Sequence, residues 1–235
     1  MLRRGAWAER GKDIMLTLDD LADIQRIVAI DAETTGLRIP TAGEIKKMPK
    51  GMRLPGIVIE LGCVELLRDG DSWKTGESWQ SRIQPDGPIA KASVAIHGIQ
   101  PAQLKTAPRF KDVLDAFEEF IGQDALLAHS ASNEIDFLNF EYARVGRCGF
   151  DETVFSGNDF LCTQELSRQF FPGVPGSLDV LCDRLWIDRS DRFQHHGALL
   201  DAVLTAEAFI KMQGGFVQDD TRAMSFGGSA PATEP

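Results

Sequence analysis

Apolar residues first gather in the run RIVAID (26–31), a β-branched stretch that closes on an acid, and this predicts a strand. A long second strand is predicted at IVIELGCVELL (57–67) and a third at SWQSRI (78–83), with DGDSWKTGE between them as a turn region. Strands in this succession imply an antiparallel meander on one side of a sheet. The period then lengthens. PRFKDVLDAFEEFIG (108–122) puts Val113, Leu114, Phe117, Phe120 and Ile121 at helical spacing, with Gly122 as the stop. ALLA (125–128) predicts a short buried strand, and 133–146 a helix with Ile135, Leu138, Tyr142 and Val145 on one face. Further helices are predicted over 163–171, 177–186 and 197–212, the second capped by Ser177.

Strands followed by interleaved helices and strands specify an α/β fold, a mixed β-sheet flanked by α-helices in a single domain over 26–213. Residues 1–25 form a polar leader with an amphipathic piece, LTLDDLADIQ, and residues 214–235 have the small, polar, Gly/Pro-containing composition of a disordered tail. Residues 38–56 carry Pro40, Gly43, Pro49, Gly51, Pro55 and Gly56 and so predict a loop; its Arg38, Lys46, Lys47, Lys50 and Arg53 make it basic.

The bulk numbers exclude more than they identify. A hydrophobic fraction of 43% and a charged fraction of 26% are those of a globular chain. No apolar run is long enough for a membrane span, and the start lacks the apolar core of a secretory signal, so a cytoplasmic protein is expected. Cys63, Cys148, Cys162 and Cys182 form no C-x-x-C pair, which predicts reduced thiols and neither a zinc site nor a disulfide framework. A net charge of −10 argues against a general nucleic-acid binder, yet it is compatible with an enzyme whose site is built of carboxylates, because bound divalent ions reverse that sign locally.

Two stretches carry chemistry. In Asp31-Ala32-Glu33-Thr34-Thr35-Gly36-Leu37 the acids stand at i and i+2 at a strand end, on one face. Two carboxylates so placed repel unless a cation lies between them or one takes a proton, and hard oxygen donors suit Mg²⁺ or Mn²⁺. In His195-His196-Gly197-Ala198-Leu199-Leu200-Asp201, five residues of helix turn through about 500°, so His196 and Asp201 do not share a face of one continuous helix. Both converge on one point if His196 precedes the helix and Asp201 sits in its first turns. An imidazole is the side chain suited to proton transfer near neutral pH.

Together these motifs resemble the DnaQ-like (DEDDh) 3′–5′ exonucleases. The resemblance runs from about residue 26 to about 215 and includes IVIELGCVEL, IQPDGPIAKASVAIHGI, AHSASNEIDFLNFE, LCTQELSRQFFPG and SLDVLCDRLWI in order. It implies a ribonuclease-H-like fold and two divalent cations, Mg²⁺ or Mn²⁺, on Asp31, Glu33, Glu134 and Asp201, with His196 as general base. It also implies substrate contacts at Thr34, Thr35, Gly36, Leu37 and His97. The implied reaction is hydrolysis at single-stranded or frayed nucleic-acid 3′ ends, DNA favoured over RNA, releasing nucleoside 5′-monophosphates. Phe209 to Gly215 resembles the end of the nuclease domain in proofreading subunits of replicative polymerases, which makes a polymerase an expected partner.

The middle motif departs from the family pattern A-H-N-A-x-F-D. Here Ser130 replaces the Asn, Asn133 the Phe and Glu134 the Asp, with Asp136 nearby. Glu134 shares a stripe with Leu138, Glu141 and Val145, which places it at the packed side; Asp136 lies about 200° round the helix and is expected to be a solvated acid. The longer side chain leaves open an impaired enzyme or a nucleic-acid-binding module without turnover.

Overall fold

The computed structural model describes residues 15–36, 38–39, 56–149, 154–155, 157–193 and 196–214. The first part of the leader, Leu37, nearly all of the basic loop, His195 and the tail from 215 onward lie outside the described residues.

Among the described residues, five strands form one mixed sheet in the order β3-β2-β1-β4-β5. They are β1 (Arg26–Thr34), β2 (Val58–Asp69), β3 (Ser72–Arg82), β4 (Ala125–Ala128) and β5 (Phe160–Cys162). β1, β2 and β3 pair antiparallel, while β4 runs parallel to β1 and β5 parallel to β4. Six α-helices among the described residues accompany the sheet: α1 (Lys91–His97), α2 (Phe110–Ile121), α3 (Ala131–Arg144), α4 (Thr163–Phe170), α5 (Leu178–Arg184) and α6 (Ala198–Gln213). No described helix is long and apolar enough to cross a membrane.

The alternation of β1 organises the two layers. Ile27 and Ala29 join the core that holds α6 and α5, through Phe209, Ala202, Leu181 and Cys182. Val28 and Ile30 join the opposite core with Phe117 and Leu114 of α2 and Ile135 and Leu138 of α3. Side chains two apart share a face, so Asp31 and Glu33 continue the row of Ile27 and Ala29 toward α6. There the helix meets the sheet without an intervening side chain. A Cβ on Gly62, which pairs with Asp31 across β1 and β2, would lie 2.1 Å from the backbone nitrogen of Leu199. Glycine is therefore required for the first turn of α6 to rest beside Asp31.

One sequence expectation changes, and two elements stand where none was predicted. The stretch 69–77, expected as a turn, is mostly strand: β2 and β3 form a tight hairpin at Gly70–Asp71, with Gly70 at φ 65°. β3 is an edge strand whose residues are largely exposed, so no apolar alternation marks it. His97 closes α1, a helix the apolar pattern does not predict, and the helix ends on Gly98 in the left-handed region at φ 68°. β5, only three residues long, had no periodic signal to show. The segment just before β1 is tied to the sheet, since Leu16 N–H donates to Phe160 O at 2.7 Å and Leu21 is buried. All four cysteines are free.

Candidate active site

The end of the central strand β1, the start of α3 and the start of α6 come together at one end of the sheet. Glu33, His196 and Asp201 each offer a donor atom within 4.8 Å of the others. His196 stands before α6, its N–H bonded to Ile96 O at 3.3 Å, and Asp201 lies in the first helical turn, as the motif spacing predicts. Glu60, opposite Glu33 on β2, accepts the Ala198 N–H at 3.0 Å and the Arg82 Nε–H at 3.2 Å. That carboxylate caps α6 from the sheet and fixes where the helix begins.

Burial first, and neighbouring carboxylates second, raise the pKa values of Glu33, Glu134 and Asp31. Burial, aided by the charges of Asp201 and Glu60, pushes Glu33 up to about 8. Burial and the charges of Glu33 and Asp201 likewise push Glu134 up to about 8, against the Ala32 amide that donates to it. Asp31 is raised well above the carboxylate range by burial and by Glu134, Asp201 and Glu33, with Arg192 opposing. Such mutual repulsion requires the carboxylates to share one small volume. Glu134 Oε2 is moreover buried with no hydrogen-bond partner. A buried, orphaned carboxylate oxygen beside three other acids suits a hard divalent cation. The donor set, carboxylates with one imidazole, fits such an ion.

Asp136 corrects an expectation. It is half-buried, not a solvated acid, and burial alone raises it to about 6. None of the four site acids contributes to that shift, so Asp136 stands apart from the cluster in which Glu134 takes part.

The candidate substrate contacts divide. Thr34 Oγ1 donates to Gly36 O at 2.7 Å, closing the turn after β1. Thr35 is buried and tied to β2: its Oγ1 accepts the Ile57 N–H at 3.0 Å, and its own N–H donates to Ile57 O at 2.8 Å. Gly36 is buried at the same turn. Leu37 lies outside the described residues. His97 is buried, accepts the Ile99 N–H at its Nδ1 at 3.0 Å, and lines a cavity of about 510 Å³ together with Glu60, Arg82, His196, Leu199 and Val203. His129 joins three chain segments: Nε2 donates to Gly176 O at 2.9 Å and Nδ1 lies 3.0 Å from Thr163 Oγ1. Burial lowers its pKa and keeps it neutral.

Sequence reasoning missed Arg192, Glu60 and Gly62. Arg192 Nε and Nη2 donate to the two oxygens of Asp201 at 2.6 and 2.9 Å, and Nη2 lies 3.0 Å from His196 Nδ1. Burial, then the Arg192 charge, lowers the His196 pKa. A signal existed for Glu60 and Gly62, namely an acid and a glycine inside the apolar run IVIELG. Nothing in RSDRF marks Arg192.

Comparisons with known proteins identify the family. The family described as Exonuclease (RNase_T) matches residues 28–209. The DNA polymerase III subunit epsilon of Haemophilus influenzae is 34% identical over 191 residues, 81% of this chain and 68% of that protein. The subunit of the same name from Salmonella typhimurium is 35% identical over 193 residues, 82% of this chain and 73% of that one. Among solved structures, the nuclease domain of 3′hExo, a DEDDh family member, bound to rAMP, superposes with a TM-score of 0.60 at 18% identity, covering 83% of this chain and 94% of that one. Exonuclease X in complex with 5′ overhanging duplex DNA gives a TM-score of 0.53 at 24% identity over 80% of this chain and 90% of that one. These two likenesses concern the fold alone, which is ribonuclease-H-like.

Proposed function

This chain belongs to the exonuclease (RNase_T) family, and from that premise we propose that it removes nucleoside 5′-monophosphates from single-stranded or frayed DNA 3′ ends. Asp31, Glu33, Glu134 and Asp201 hold two divalent cations, Mg²⁺ or Mn²⁺, and His196 is the general base. The observation that carries this reading is the convergence of Glu33, His196 and Asp201 donor atoms within 4.8 Å, with Asp31 and Glu134 electrostatically coupled to the same acids.

The cations, when bound, lower the pKa of a water and neutralise charge building on the leaving 3′ oxygen. The protein's own residues supply the rest. Four carboxylates from β1, α3 and α6 fix positions that no single element could offer. Burial and the Arg192 charge lower the His196 pKa, which favours the neutral imidazole that a general base must start from. The turn at Thr34–Gly36 and the His97-lined cavity beside His196 are where the terminal nucleotide rests. An end that must thread into such a recess has to be unpaired, which favours frayed termini.

The identity to polymerase subunits supports a polymerase partner and DNA over RNA as substrate. An acidic chain of net charge −10 gains little from phosphates on its own, so a partner that delivers the 3′ end complements it. The free cysteines are in keeping with a cytoplasmic setting.

The test is hydrolysis of matched 3′-labelled DNA and RNA oligomers with Mg²⁺ or Mn²⁺. Wild type cleaves DNA faster, and His196→Ala slows cleavage by about 10²–10⁴-fold. Equal rates for the two proteins would remove His196 from the mechanism. A folded wild type that cleaves nothing in either metal would leave a binding module.

A further inference from the structure

Arg192 lies in the short turn between α5 and α6, with only 9% of its side chain exposed. It engages three groups at once. Both Asp201 oxygens accept from it at 2.6 and 2.9 Å, Asp179 accepts from its Nη1, and its Nη2 lies 3.0 Å from His196 Nδ1.

We infer that Arg192 is a latch: an internal cation that holds Asp201 and His196 in an inactive arrangement and swings onto Asp179 when a divalent ion enters. The inference rests on the ion-binding reading above.

Two features of the contacts support it. A guanidinium has donors and no acceptor, so His196 Nδ1 must accept from it. The proton of the neutral imidazole then sits on Nε2, where it bars that nitrogen from accepting another. The bidentate pair also uses lone pairs on both Asp201 oxygens, and its positive charge opposes a second cation at the same carboxylate. Arg192 and an ion bound through Asp201 therefore compete.

Asp179 makes displacement feasible. Removing a buried cation from its partner is unfavourable unless another anion receives it. Asp179, in the first turn of α5 and 42% exposed, already bonds Nη1 and also pairs with Arg189 at 3.4 Å. Arg192 can thus leave Asp201 and His196 without becoming an isolated charge. An ion that binds only the released form shifts the balance toward it.

The experiment is Mn²⁺ titration of the full chain, followed by electron paramagnetic resonance without nucleic acid. Arg192→Gln should bind Mn²⁺ about fivefold tighter or more, and Arg192→Lys, which keeps a charge but loses the fork, should fall between it and wild type. Asp179→Asn should weaken Mn²⁺ binding about fivefold when Arg192 is present, and should have no effect in the Arg192→Gln background. A general loss of negative charge, or a merely structural role for Arg192, would not produce that dependence. Unchanged or weaker binding by a folded Arg192→Gln protein overturns the latch while leaving the ion site standing. If neither wild type nor variant binds Mn²⁺, the ion site and the latch fall together.

Discussion

Glu134 and Asp136 stand two residues apart in the same helix, yet burial and charge separate them. Glu134 has an orphaned buried oxygen and feels Glu33 and Asp201, whereas Asp136 feels only desolvation. Glu134→Gln, nearly isosteric, should therefore weaken Mn²⁺ binding by at least about tenfold, and Asp136→Asn should leave it within about twofold. Calorimetric titration of both variants checks the pair, and the reverse order would move the ligand to Asp136. Motif register and helical phase both pointed to Glu134, because Leu138, four positions beyond it on the same stripe, is a core residue. The same reasoning erred on the environment of Asp136. Phase gives direction from the helix axis, but not what a neighbouring segment lays over that face. Arg192 was hidden for a related reason: its partners Asp179, His196 and Asp201 belong to two helices and a loop, and only packing brings them together.

At the scale of elements, the contact between β2 and the first turn of α6 sets the site. Gly62→Ala would drive a Cβ against Leu199 N and Ala198 C, at 2.1 and 2.3 Å, backbone atoms that cannot rotate away. The expected outcome is a stability loss of about 1–3 kcal/mol by denaturant unfolding. A shift of the helix by about 1 Å would also lower turnover on the order of 100-fold. A variant of full activity would show that α6 need not rest on Gly62. Elements with a long apolar run or a one-sided apolar period were legible: β1 and β2 by the run, and α2, α3 and α6 by the period, all stand near their expected bounds. β3 was read too short because an edge strand exposed on most positions carries no period-two signal. β5 and α1, at three and seven residues, offer too few turns or alternations for a pattern to form. The candidate site survived these omissions because its acids and His196 come from the ends of the legible elements.

For the whole molecule, the raised acids make stability depend on pH and on metal together. Glu33 and Glu134 move from an ordinary 4.5 to about 8 in the folded chain. Between those values the folded, metal-free protein binds more protons than the unfolded chain, so stability falls as pH rises through the window. Melting in a chelator should show Tm dropping from about pH 5 to about pH 8, and Mg²⁺ should restore it most at the upper end. A chelator-treated Tm that rises across this range would contradict the carboxylate cluster. The fold class was legible from the order of strands and helices, and the comparisons agree with it. The net charge, by contrast, pointed only to caution. Its meaning comes from where the acids sit, which composition does not record.

The most direct measurement is anomalous diffraction from crystals of the protein soaked in Mn²⁺. The account predicts manganese density bounded by Asp31, Glu33, Glu134 and Asp201, at about 2.0–2.3 Å from their oxygens, with His196 beside it. Density at Asp136 instead, or crystals that take up no ion among these acids, would contradict it.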